Sequence, residues 1–446
     1  MNKKKGVMTM KTTLTFWMSF AAVALMCTPA LAQQQVTFTK DVAPILQQHC
    51  QTCHRDGTIA PMSLLTYEQT RPWAKSIKAK VIAREMPPWF IDKNVGVKQF
   101  SNDISLTDQE IATIVKWVDA GAPQGNPADM PAPRQFPDAL AWQIGKPDVV
   151  ISLPKDLVVK AAGPDWWPDI TVDPGLTENR YIEAIQIIPT NGYPNIHHIR
   201  TSMIKPGDDS IHGGAVDGNV QLDMTQQGVF LDEYAIGKGP DVFKDGSGRY
   251  ITAGTKINFE FHLHSNGKET PVNVLLGLKF YPKGYTPKYA VTSMTMGSRQ
   301  VDLRPHEANV RSDGYLSLIK PARLLSFQPH MHTRGKAECI EAIYPNGKIE
   351  TLSCARFEFN WMNNYVYADD AAPLLPAGTI LHTIMWHDNS SENRNNPDPD
   401  AQITYGLRTV DEMSSAWLSY YYMSEEEFKA ELAERRAKQQ TLTSQR

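Results

Sequence analysis

Ile257-Asn258-Phe259-Glu260-Phe261-His262-Leu263-His264 alternates apolar and polar residues without a break. A period of two marks a half-buried strand, with Ile257, Phe259, Phe261 and Leu263 on the core face and both histidines on the other. The same short alternating pattern, broken by Gly, Pro and Asn turns, extends outward from this stretch to about Asp148 and about Tyr422. That span is long for one sandwich, so two are expected, over 148–300 and 301–423. Ala253-Gly254-Thr255 leads into the quoted strand, and Ala377-Gly378-Thr379 leads into one ending near His387. This weak internal repeat fits two copies of one topology.

Upstream the period changes. Residues 36–122 read as helical. Trp73, Ile77 and Val81 share a helix face, and Thr107 with Glu110 forms a capping box. Ile111, Ile114, Val115 and Val118 give that helix its apolar stripe, and Gly121 and Pro123 end it. Residues 123–147 are proline-rich and read as a linker. Residues 424–446 read as a charged tail.

Residues 1–32 read as a secretory signal. Lys3, Lys4, Lys5 and Lys11 are followed by an apolar run and by Ala30-Leu31-Ala32, a small-residue cleavage site. Removing those four lysines takes the formal net charge from −3 to −7. That balance argues against nucleic acid as a partner, and no later segment is apolar enough to span a bilayer. The expected location is periplasmic or secreted, with no membrane insertion after cleavage.

Cys50-Gln51-Thr52-Cys53-His54 is a C-x-x-C-H motif. Two thiols in this spacing add to the vinyl groups of a haem, and the adjacent His supplies an axial iron ligand. One covalently bound haem c is therefore expected on Cys50, Cys53 and His54. Met86, held at a helix end by Pro87 and Pro88, is the expected sixth ligand, with Met62 as competitor. The expected fold is thus a small all-α cytochrome c domain followed by two antiparallel, jelly-roll-like β-sandwiches.

Cys339 and Cys354 flank Tyr344-Pro345-Asn346-Gly347. Asn-Gly is a two-residue hairpin turn. Counting outward from it puts the two cysteines opposite each other, at the roughly 4.5–5.5 Å Cα spacing a disulfide can bridge.

The histidines cluster as His197-His198, His262-x-His264 and His330-x-His332. On a strand, H-x-H presents two imidazoles to one ion. Adjacent histidines reach one ion only if the backbone is irregular. His49, His212, His306 and His382 stand alone and read as structural. Histidine by itself permits zinc or copper, and a thioether ligand would select Cu(I).

From His197 to Met413 the chain resembles the type II copper, ascorbate-dependent monooxygenases, the family of peptidylglycine α-hydroxylating and dopamine β-monooxygenases. The matching residues are His197-His198, then His262, then His330-Met331-His332, then Met413 before the aromatic run Trp417 to Tyr422. The segment around Cys50–His54, Ala60–Leu64 and Met86–Trp89 resembles the cytochrome fused to bacterial relatives. The resemblance implies two copper ions. His197, His198 and His262 would hold an electron-transfer copper, and His330, His332 and Met413 the copper that binds O2. It implies C–H hydroxylation of a small organic substrate, with electrons from the fused cytochrome, from ascorbate or from another one-electron donor. A non-catalytic copper-binding or electron-transfer protein is the rival reading. Gln328, Ser415 and Trp417 depart from the amidating enzymes' Arg, Asn and Tyr, which argues against a peptide-glycine substrate. His264 and His387 are further candidate copper ligands.

Overall fold

The structure is a computed structural model that describes residues 35–444, apart from 137, 139, 208–228 and 245. The expected signal segment and His212 lie outside the described residues.

Strand dominates, at 37% against 17% helix, and this corrects the expected architecture. Residues 36–122 do not form a separate all-α domain. Their helices are short: Ala43–His49, Tyr67–Thr70, Ala74–Ile82 and Asp108–Asp119. Both Thr66/Gln69 and Thr107/Glu110 close capping boxes. The helices share a small core in which Phe38, Leu46, Ile114 and Trp117 are fully buried. Ile111 and Val118 of the predicted stripe pack against this core, and Trp117 enters it where the stripe had placed Val115.

The chain then leaves this core. The helix ends at Ile82, with Arg84 at positive φ just beyond its C-cap, and Pro87 and Pro88, which cannot donate a backbone hydrogen bond, keep it from resuming. The apolar Trp89-Phe90-Ile91 that follows needs a partner surface and finds it on the β region. Trp89, Ile91 and Phe100 are buried in one core with Phe327, Tyr365 and Leu418. Asp92 N donates to Cys354 O and Val97 N to Leu352 O, both at 2.8 Å. The N-terminal segment is stitched to the sheets rather than strung before them.

The two sandwiches are not separate either. One 11-stranded sheet runs through both halves, and its main path passes through the strands at 149–152, 270–280, 180–191, 247–251, 289–297, 414–422, 322–331 and 365–366. The join is the antiparallel pairing of Tyr289–Gly297 with Ser414–Tyr422, with Val291 opposite Tyr421. A four-stranded sheet covers each half of this wall. The first orders its strands as 169–172, 256–263, 196–204 and 229–235. The second orders them as 308–317, 380–388, 335–343 and 349–356. In chain order both read first, fourth, second, third, which gives the Ala-Gly-Thr repeat a structural meaning. Gly254 and Gly378 both have positive φ, and their N–H groups donate to Leu176 O and Leu318 O respectively.

Ile257, Phe259, Phe261 and Leu263 face the first core as the alternation predicted, and all are fully buried. The opposite face of that sheet carries His262, Glu260 and Arg200, and it meets the 322–331 and 414–422 strands of the wall. The candidate site lies at this seam.

Candidate metal centre

His197 and His198 follow the short turn Tyr193–Asn195. A register shift falls between Ile196 and His198, so that Ile196 opposes Leu263 while His198 opposes His262. This is the irregular backbone that two adjacent histidines need to face one ion. His197, His198 and His262 each offer a ring nitrogen such that all three atoms lie within 4.8 Å of one another.

Hydrogen bonds fix which nitrogens are available. His197 Nε2 lies 3.1 Å from the Phe359 carbonyl, which can only accept, so Nε2 carries the proton and Nδ1 keeps its lone pair. His262 Nε2 lies 2.8 Å from the Asp165 carboxylate, which likewise leaves Nδ1 free. His197 Nδ1 and His198 Nδ1 face each other at 3.1 Å, a spacing that needs a proton or a cation between them. Burial and the neighbouring His262 push the His197 imidazole down to about 3 and the His198 imidazole well below its ordinary value. Thr409 Oγ1 donates to Asp165 at 2.6 Å. The bonds from His262 and Thr409 hold the Asp165 carboxyl below its ordinary value.

The second set is built by one carboxylate. Glu412 is fully buried. Its Oε1 accepts from the backbone N–H of His332 and, at 2.8 Å, of Met413, while its Oε2 accepts from Arg334 N at 2.9 Å. A residue adjacent to Met413 thus ties Met413 to the H-x-H turn. His332 Nδ1 is 3.3 Å from the Asp411 carbonyl, which leaves Nε2 free. His330 stacks on Trp417 with ring centroids 4.8 Å apart, and its Nδ1 has no partner. His387 Nε2 lies 3.0 Å from the Met413 carbonyl. That bond ties His387 to the Met413 backbone and leaves its buried Nδ1 without a hydrogen-bond partner, so His387 keeps a nitrogen open to a ligand. His264 stands outside the three-histidine group, with its N–H on Asn195 O.

The two sets adjoin: the His198 and His330 rings are 5.8 Å apart. The first offers three imidazoles within reach of one ion, a donor set that suits zinc or copper, and in the second the His330 and His332 ring centroids lie 5.8 Å apart. Glu412, Asp165, Thr409 and Phe359 escaped the sequence reading. Glu412 alone carried a signal, its place next to Met413. Gln328 is buried and donates to Glu233, whose carboxyl burial pushes well above its ordinary range. His306 pairs with Asp400 and His382 with Asp313, in keeping with structural roles.

At the N-terminal motif, His54 N donates to Cys50 O at 2.9 Å, closing one helical turn around the two free thiols. Burial pushes the Cys50 thiol up to about 12. His54 Nδ1 lies 3.2 Å from the Met62 carbonyl, so Nε2 is the nitrogen left for a ligand. Two thiols and an imidazole oriented this way fit a haem. Met62, the competing sixth ligand, holds the His54 ring through its carbonyl and packs half-buried against the helical core. Met86 is half-buried just after the 74–82 helix. Cys339 and Cys354 form a disulfide, with Cα atoms 4.0 Å apart.

No protein-family model matches the chain, and no curated protein matches it. Among solved structures it is similar to the major capsid protein P2 of bacteriophage PM2. That likeness has a TM-score of 0.29 and 11% identity over 62% of this chain and 98% of that one. It is also similar to infectious bursal disease virus VP2, with a TM-score of 0.17 and 12% identity over 65% and 74%. Likenesses this loose assign no family.

Proposed function

We propose that this chain is an exported copper- and haem-containing monooxygenase that hydroxylates a C–H bond of a small organic substrate. The observation that supports the reading is the meeting of two histidine groups at one seam, with the His198 and His330 ring centroids 5.8 Å apart. His197, His198 and His262 would hold one copper as an electron-transfer site. His330, His332 and Met413 would hold the other, where the soft thioether favours the reduced ion that O2 requires. Cys50 and Cys53 would bind one haem through thioethers, with His54 and Met86 as axial ligands.

When bound, these groups supply one-electron transfer and O2 activation. The net reaction balances as R–H + O2 + 2e⁻ + 2H⁺ → R–OH + H2O. The protein's part is orientation and exclusion of water. The Phe359 carbonyl and Asp165 hold the imidazoles of the first set in one tautomer, and Glu412 holds Met413 against the H-x-H turn. Trp417 covers one face of His330. Single electrons come from the haem segment, from ascorbate or from a redox protein.

The test uses full-length protein exported from copper-supplied cells. Two coppers and one covalent haem per chain are expected, with O2 uptake matched by a hydroxylated product when small metabolites and a reductant are supplied. O2 uptake that yields no hydroxylated product from any of them would reject the enzyme reading.

A further inference from the structure

The N-terminal segment touches the histidine seam at two places, and both lead to His197. The first is the haem-motif loop. Tyr193 Oη donates to Thr58 O at 3.1 Å, and Thr58 Oγ1 in turn donates to Cys53 O. Tyr193 opens the turn that delivers His197 four residues later. Tyr234, on the strand paired with the one bearing His198, lies in the same patch. Burial pushes its phenol up to about 12, and the titratable groups beside it are Tyr193 and the Cys53 thiol.

The second contact comes from the other end of the segment. Asn363 Nδ2 donates to Pro88 O at 2.8 Å, two residues beyond Met86. The same loop carries Phe359, whose carbonyl holds His197 Nε2 and whose ring stacks on His197 at 4.4 Å. Both ends of the chain expected to bracket the haem are therefore hydrogen-bonded to elements that hold His197. His330, His332 and Met413 are held instead by Asp411, Glu412, Trp417, His387 and His198.

We propose that electrons enter the copper centre at His197, from the haem segment docked against it, with Tyr193 as the residue that positions the docking contact. The proposal rests on the monooxygenase reading and names its electron donor as part of the same chain. The step moves one electron: ferrous haem becomes ferric as Cu(II) on His197, His198 and His262 becomes Cu(I). No bond forms or breaks, and an external one-electron donor re-reduces the haem between turnovers. Tunnelling falls steeply with every unbonded gap. Covalent and hydrogen bonds run from Cys53 through Thr58 and Tyr193 to His197 without an unbonded gap.

The experiment uses the copper-loaded holoprotein without O2 or substrate. The haem is reduced in a stoichiometric pulse by a photochemical one-electron donor, and its visible absorbance is followed as copper reoxidises it. The expected decay is first order with a rate independent of protein concentration. Tyr193→Phe, with covalent haem and the Cu(II) paramagnetic signal both retained, should slow it by roughly three- to tenfold, the rate equivalent of one lost hydrogen bond. Asn363→Ala, which cuts the second contact, should slow it as well. A decay that scales with protein concentration, or one that neither substitution alters, would overturn this route while leaving the monooxygenase reading intact. A denaturing gel with no covalent haem would remove both.

Discussion

Glu412 answers for the second donor set with a single side chain. Its carboxylate accepts three backbone N–H groups, from His332, Arg334 and Met413. Glu412→Gln turns one acceptor oxygen into a donor that faces an N–H. The substitution should cost about 1–3 kcal/mol in stability and lower bound copper from two to one per chain. Thermal unfolding and metal analysis read the two effects. Met413→Ala should likewise leave the His197/His198/His262 copper in place, while a Cu–S contribution present in the reduced wild type disappears from X-ray absorption. If that contribution is absent from the wild type, Met413 is not a ligand. The histidines themselves were legible, because H-H and H-x-H spacing is local and a strand's period says which way each ring points. Their supports were not. Asp165, Phe359 and Thr409 reach the rings from about 97 to 162 residues away, and only the fold brings them there.

At the scale of single elements, the Cys339–Cys354 hairpin shows a right pairing reached by two compensating departures. Counting from Asn346-Gly347 as the loop puts Ile343 opposite Glu350, but the structure pairs Ile343 with Ile349. A register shift between Ile340 and Glu341 then restores Cys339 opposite Cys354. Turn chemistry predicts a register only until the first bulge. Replacing both cysteines with alanine should cost about 2 kcal/mol, the low end for a native bridge, measurable by denaturant unfolding. The neighbouring Glu338 faces inward on the same strand. Its carboxyl is fully buried with only the His330 backbone N–H turned toward it, and burial pushes its titration well above the ordinary 4.5. The folded state thus prefers the protonated acid, whereas the unfolded chain ionises above about 4.5. The native state should lose stability as pH rises from there toward the folded-state value. Glu338→Met should therefore be more stable than wild type at pH 8, by roughly 1–3 kcal/mol, and the gap should close toward pH 4. A gap that stays constant with pH would show that Glu338 is charged in the folded protein.

For the whole molecule, alternation revealed a β protein and two cores, but not that they share a wall. The pairing of 289–297 with 414–422 spans a long loop of chain, and no local pattern encodes a partner so far away. Nor did the helical period around Thr107 disclose that Trp89 and Phe100 leave their own segment for the second core. Buried charge reinforces the shared wall. Lys238 pairs with Asp232 at 2.7 Å and Asp241 at 3.0 Å, and all three are largely shielded from water. Nearby, Ser293 and Ser419 hydrogen-bond at 2.6 Å across the join of the two halves. Lys238→Met would leave two carboxylates buried without their cation. It should destabilise the protein by about 3–5 kcal/mol, read by thermal unfolding of both cores in one transition. The shared wall also sets an order in time. Residues 289–297 leave the ribosome with one side of their strand unpaired, and the strand that covers it comes at 414–422, near the end of the chain. Until then the first core has an open edge, able to pair with another chain. That open edge persists until 414–422 pairs with it, and the histidine seam, which needs strands from both halves, can close only then.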